Sequence, residues 1–449
     1  MSKQRIQLSD HFTYSRLLRF VLPCIGTMLF TSIYGIVDGL CVSNFVGKTA
    51  FAAVNLIMPL PMLLGTIGFM LGTGGSAIVG ITLGEGDQKK ADRYFTLFLL
   101  AALVSVSVLA VLGIVFLRPI AVLLGAKGEL LDYAVRYGRI LMVSLPTFAL
   151  QNMFQSFFVT AEKPHLGFWF TVGAGCTNMV LDVLMVGVWG WGVEGAAIAT
   201  FISQLVGGVL PVFYFIDRSN SSRLHLCQTK VYGGVLRDAC INGSSELMTN
   251  LSMSLVNILY NYQLLRLAGE NGVAAYGVIM YAAFLFVAVF VGYAVGSAPI
   301  VSFHYGARNH AEVHNLYCKS LRLIAVVAVT LTLASMFIIP CVARIFVGYD
   351  AELLALTSRA FRLYALSFLI MGFNVYASSF FTALGDGVTS ALISFLRTLA
   401  FQVIAILLLP MLLGIDGIWL AVTAAELAAL AVSAAMLLTK DKVFHYRKA

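Results

Sequence analysis

Long apolar runs alternate with short polar stretches along almost the whole chain. The runs fall at about 17–43, 51–83, 94–117, 134–159, 165–188 and 193–216, then at 236–265, 274–305, 319–340, 360–384, 388–413 and 417–439. A helix needs about 20 mostly apolar residues to cross a bilayer. The pattern therefore predicts an all-α integral membrane protein of twelve transmembrane helices. Several runs exceed the crossing length, so tilted or kinked helices are expected. The longest polar stretch, about 217–236, reads as a linker. It divides an amino-terminal lobe, residues 1–222, from a carboxy-terminal lobe, residues 223–449, with six spans in each.

The halves repeat. Ala52-Ala53 recurs as Ala274-Ala275, Ile57-Met58 as Ile279-Met280, Gly74 as Gly296 and Gly84 as Gly306, always 222 residues on. Thr160-Ala161 returns as Thr382-Ala383, and Gly192 and Gly195 as Gly414 and Gly417. A block from Gly125 to Arg139 returns between Gly348 and Arg362 at an offset of 223. Six spans is an even number, so both halves start on the same side of the membrane and the repeat is parallel. Two such bundles around a central cleft suit alternating access.

Composition agrees: 60% of the 449 residues are hydrophobic and 11% are charged. An average soluble domain carries about 25% charged residues. This argues against a soluble enzyme, a disordered chain or a nucleic-acid binder. The net charge of +8 comes from residues between the apolar runs. With the amino terminus in the cytoplasm, most lysines and arginines fall on the cytoplasmic side, so both termini are expected there. The seven cysteines include no CxxC pair, and no disulfide or metal framework is expected from them.

With so few charges, ionisable residues inside spans become site candidates. In the first lobe Tyr34 and Asp38, Asn178 and Asp182, and Thr200 and Gln204 are three pairs spaced four apart, each on one helical face. Together they could form one polar patch. Two carboxylates with an amide and a hydroxyl can carry a proton or hold Na⁺; the residues do not choose. The repeat puts Tyr260 opposite Asp38, Ala400 opposite Asn178 and Ile404 opposite Asp182, so the patch has no counterpart in the second lobe. That lobe has Glu246, either a cavity-facing acid, for cationic substrates or as a second proton site, or a helix-start carboxylate near the cytoplasmic interface. It also has Glu426, at the repeat position of Gln204: both are candidates for the substrate cleft, and Glu426 is alternatively a structural partner of Arg397. Pro23, Pro59, Pro61 and Pro299 are placed to bend their helices. Gly68/Gly72 and Gly292/Gly296 have the spacing of close helix packing.

Asp38 to Gly47, Ala52-Ala53-Val54, Gly84 after the second run, Asn178-x-x-x-Asp182 and Gly192-x-x-Gly195-Ala196-Ala197-x-Ala199-Thr200 together resemble the multidrug and toxic compound extrusion (MATE) family. The resemblance runs over about residues 15–440. It implies a V-shaped twelve-helix antiporter that exports cationic or amphiphilic drugs in exchange for H⁺ or Na⁺, with no other cofactor and no enzymatic activity. It maps a cation site onto Tyr34, Asp38, Asn178, Asp182 and Thr200, with Na⁺ held by the last four. It also implies a protonation-linked bend at Pro23. The acid that some members carry in span 10 is absent. A monomer in the plasma (inner) membrane is expected. A lipid-linked saccharide flippase of the same wider superfamily would favour more basic residues in its cavity. An intramembrane enzyme would need a motif such as HExxH or GxSxG, and the spans have neither.

Overall fold

The computed structural model describes residues 6–46, 48–348 and 350–447. All the elements assigned among them are helical. The first half holds α1 (Tyr14–Val46), α2 (Lys48–Ile57), α3 (Pro59–Gly84), α4 (Gln88–Leu123), α5 (Glu129–Thr160), α6 (Pro164–Asp182), α7 (Gly192–Gly208) and α8 (Leu210–Ile216). After the linker come α9 (Gly233–Asn242), α10 (Ser244–Gly306), α11 (His310–Val347), α12 (Ala351–Ala365), α13 (Phe368–Ala383), α14 (Gly387–Phe395), α15 (Phe401–Leu413), α16 (Ile415–Thr439) and α17 (Asp441–Phe444). Two π-helical segments, Val183–Val188 and Leu396–Ala400, follow α6 and α14.

Among the described residues, nine helices are long and apolar enough to cross a membrane, or ten if the bent pair α12–α13 is one span. Twelve is reached only by a finer division. The 63-residue α10 is interrupted at Gly269, whose φ of 61° and ψ of −150° no ordinary helix residue adopts. Counting its parts separately and adding the 32-residue α5 gives the twelve runs seen in the sequence. Pro59 opens α3 and sets it apart from α2, whereas Pro23 and Pro299 lie inside α1 and α10.

The repeat is also conformational. Gly192 and Gly414 share a φ of 59°. Asp87 and Asn309 each cap the next helix, accepting from Lys90 N at 3.0 Å and from Glu312 N at 3.1 Å. A methyl group on Gly84 would run into the carbonyl oxygen of Phe303, and one on Gly306 into that of Ile81. Adding 222 to Gly84 and Ile81 gives Gly306 and Phe303. This is one backbone contact seen twice across a pseudo-two-fold axis. The other glycine pairs also mark close packing: Gly68 and Gly72 lie against Ala149 and Met153 of α5, and Gly292 and Gly296 against Ile25 and Cys24 of α1.

A short segment ahead of α1 ties the halves together. Leu8 N–H donates to Glu162 Oε1 at 2.9 Å, and Glu162 also holds Arg223 at 2.6 Å. Four residues on, Phe12 N–H donates to Glu312 Oε1 at 2.8 Å, while Glu312 Oε2 meets His11 Nδ1 at 2.6 Å. Lys319 Nζ donates to the Phe12 carbonyl at 2.7 Å. Leu8 and Phe12 are fully buried. Glu162 belongs to the first half and Glu312 to the second, so this strap is anchored on both.

Candidate functional site

A cavity of about 450 Å³ opens between the halves and reaches into the second. Met28 and Thr31 of α1 and Thr73 and Ser76 of α3 form part of its wall. The second half supplies its ionisable groups, Glu246, Arg397 and Glu426. Glu246 sits in the first turn of α10 and lines the cavity. Its carboxylate makes no hydrogen bond or ion pair among the described residues.

Arg397 lies in the π-helical segment 396–400. Such wide turns break the regular spacing of side chains and recur at functional sites. Its Nη1 donates to Glu426 Oε1 at 3.4 Å. Asn374 Nδ2 donates to Glu426 Oε2 at 2.7 Å and to its backbone oxygen at 2.9 Å, and Ser433 donates to Asn374 Oδ1 at 2.8 Å. The Glu426 side chain is 1% exposed and that of Arg397 13%. A buried charge is tolerable only when paired and hydrogen-bonded, and both oxygens of Glu426 are satisfied. In the same wall Tyr260 and Tyr276 stack with ring centres 4.9 Å apart, and Tyr364 also lines the cavity. Ser378 and Ser394 line another part, their hydroxyls 2.9 Å apart, and Ser390 Oγ lies behind them, 2.8 Å from Ser378 Oγ. An apolar cavity with a few converging polar groups is the usual form of a small-molecule site.

The patch in the first half is a separate place. Asn178 and Asp182 are 2% and 0% exposed. Asn178 Nδ2 donates weakly to Thr200 Oγ1 at 3.5 Å, and Thr200 donates to the Ala196 carbonyl at 3.0 Å. Tyr34 packs against Gly175, one turn before Asn178. Asp182 closes α6 where the other π-helical segment begins. So α1, α6 and α7 do bring Tyr34, Asn178, Asp182 and Thr200 into one region. Asp38 lies in α1, but its side chain falls outside the described residues. Tyr34, Asn178, Asp182 and Thr200 are not among the described residues that line the cavity, nor is Gln204, which is buried in α7. Pro23 is inside α1, and its carbonyl accepts from Thr27 Oγ1 at 2.9 Å. Among the described residues no cluster of three His, Cys, Asp or Glu could hold a metal ion.

Sequence reasoning missed Asn374 and the three tyrosines. Asn374 is neutral and left no charge signal. Tyr260 did leave one, because it stands at the repeat position of Asp38. An aromatic hydroxyl thus replaces a carboxylate in the lobe that forms most of the cavity.

The MatE family model matches the chain twice, over residues 23–184 and 247–408, once in each half. The multidrug export protein MepA of Staphylococcus saprophyticus is 21% identical over 436 residues, covering 96% of this chain and 95% of that one. MepA of Staphylococcus aureus is similar to the same degree. The outward-facing structure of a multidrug resistance MATE family transporter superposes with a TM-score of 0.92 at 22% identity over the full length of both chains. A MOP superfamily transporter from Pyrococcus furiosus, whose structure is described by a reversed polarity of its binding pocket, gives a TM-score of 0.90 at 22% identity, again over both full lengths. At this identity the structural likeness establishes the fold. The double family match, laid over the same two halves that repeat in sequence and in backbone conformation, places this multi-pass membrane protein in the MATE family of efflux transporters.

Proposed function

We propose that this chain exports organic cations and cationic amphiphiles by alternating access, driven by the inward passage of H⁺ or Na⁺. The observation that carries the reading is the cavity wall. An unpaired carboxylate, Glu246, and the stacked rings of Tyr260 and Tyr276 line one cavity, which favours a cation through charge in one part and through ring faces in another. Glu426 is neutralised by Arg397, so one net negative charge remains among the three. A saccharide flippase would want the opposite balance. The coupling ion is assigned to Asp38 and Asp182, with Tyr34, Asn178 and Thr200 around them and Pro23 as the flexible point of α1. Ion occupancy that differs between inward- and outward-open states shifts their populations. The lobes divide near residues 222/223, the protein works as a monomer, and both termini face the cytoplasm of the plasma membrane.

The test is efflux from proteoliposomes with pH and sodium gradients imposed separately. One gradient alone is expected to drive export, and Asp182→Asn is expected to abolish it while leaving substrate binding intact. Gradient-driven export that survives both Asp38→Asn and Asp182→Asn would sink the coupling assignment.

A further inference from the structure

Apart from the choice of substrate and ion, and resting only on the alternating access of that reading, we infer that Asn242 is a positioning residue for transport, the release point of one end of the cavity. The cavity lining stops at Ser76 on α3 and at Thr382 on α13, and among the described residues none of α9 reaches it. These elements meet just behind the lining, at Asn242, the last residue of α9, which is 2% exposed. Its Nδ2 donates to the Thr382 carbonyl of the second half at 2.9 Å and, more weakly, to the Gly74 carbonyl of the first half at 3.5 Å. One amide thus bridges both halves. Backbones close the rest of the gap. A methyl group on Gly74 would run into the Ala239 carbonyl oxygen and the Gly243 nitrogen, and one on Gly243 into the Met70 carbonyl oxygen. Gly387 lies as tightly against Asn242 from the second half.

Two features show that this seal is built to open. Asn242 Oδ1 is buried without a hydrogen-bond partner among the described residues. An unmet buried acceptor costs free energy, and water restores its bond once the halves part, so the residue works against the closed state that it plugs. The repeat supplies the second feature. Gly296 packs on Val21 as Gly74 packs on Gly243, each residue 222 positions from its counterpart. At this equivalent crossing Phe20 stands opposite Asn242, 3% exposed and edge-on to Phe12. An apolar side chain fills that place, so packing alone does not call for an amide. The unequal bonds set the parting line: Asn242 stays with Thr382 and Gly387, and the contact with Gly74 and Met70 of α3 breaks. A leucine of similar size would bury apolar surface with no orphaned acceptor and tighten the seal. An aspartate of the same shape would lose both donated bonds, bury a charge one turn from Glu246, and loosen it.

The experiment follows hydrogen exchange of the purified full-length protein in detergent by mass spectrometry. Residues 68–84 and 233–246 report on the two sides of the parting line, and the other spans serve as reference. Asn242→Leu is expected to slow exchange in both segments, and Asn242→Asp to speed it. Each shift should be about tenfold, the population ratio that one unmet buried polar group is worth. Gly243→Ala, which wedges the line from the Met70 side, should act like Asn242→Asp and replaces it if the charged variant does not fold. In proteoliposomes, with ethidium as the cationic probe, Asn242→Leu should slow export about tenfold without weakening ethidium binding, because the cavity is intact and only its release is hindered. Exchange that moves in one direction for the leucine variant and the loosened variants alike would overturn the inference. So would a change spread evenly over all spans, or a leucine variant that exports at the wild-type rate. Opposite shifts in exchange with no ethidium export by the wild type would support the release point and strike the cation-export reading instead.

Discussion

Glu426 shows how a charge survives inside this bundle. Arg397 holds one oxygen, Asn374 the other, and Ser433 fixes the amide of Asn374. Removing one member of a buried pair costs about 3–5 kcal/mol because the other is left uncompensated, while replacing both with apolar groups is often neutral. Glu426→Ala should therefore lower thermal stability in detergent sharply, and Arg397→Met/Glu426→Leu should recover most of it. If the double variant is no better than the single, the cluster is not an isolated pair. Outside the spans, Asp386 caps α14. Burial works to raise its pKa, but bonds from Thr389 and Lys440 outweigh this and hold it below the usual 3.8. A depressed carboxylate contributes stability above its ordinary value and loses it as the pH falls through the folded one. Asp386→Asn should thus cost stability at neutral pH and flatten the acid limb of a melting-temperature profile. An unchanged acid limb would show that another group sets it. The acids in this account could be found from the sequence because charge is rare in the spans. The neutral groups that orient them could not.

At the scale of elements, the sequence repeat carried most of the fold. Gly84 and Gly306 were visible as a matched pair, but not that each one faces the other half's backbone. That contact depends on how α3 and α10 cross. The two methyl clashes are pseudo-symmetric, so Gly84→Ala and Gly306→Ala should destabilise by similar amounts, about 1–3 kcal/mol each for overpacking. Thermal unfolding of both variants checks this; tolerance of one and collapse with the other would mean the halves do not meet symmetrically there. The helices divide the chain differently from the apolar runs: Pro59 splits one run, the runs at 193–216, 236–265 and 360–384 are each shared between two helices, and α10 continues through two runs with a break at Gly269. The π-helical segments beside Asp182 and at Arg397 left no sequence signal, since any residue type can enter a wide turn.

At the scale of the whole molecule, the strap joins two bodies that must move relative to each other for alternating access. Its anchors are carboxylates in different halves, acting on one short stretch of backbone. Removing either of two linked anchors should loosen both ends. Glu162→Ala or Glu312→Ala should therefore speed hydrogen exchange at both Leu8 and Phe12 by about tenfold or more, the worth of a charge-assisted bond. If only the neighbouring amide responds, the anchors act independently. Nothing in the pattern of apolar and polar residues announced this feature. It is made of backbone N–H groups, which every residue but proline has, meeting side chains 154 and 300 positions away.

That separation also orders events at the ribosome. Residues 8–12 are made before α1, but the carboxylate that completes their docking comes 300 residues later. At about 5–20 residues per second, the gap is roughly 15–60 s. Throughout that time the leading segment is tethered at most to Glu162, and the first half must enter the membrane without it. This segment is therefore among the last parts to reach its native place, and its docking on Glu312 marks the moment when the two halves have come together.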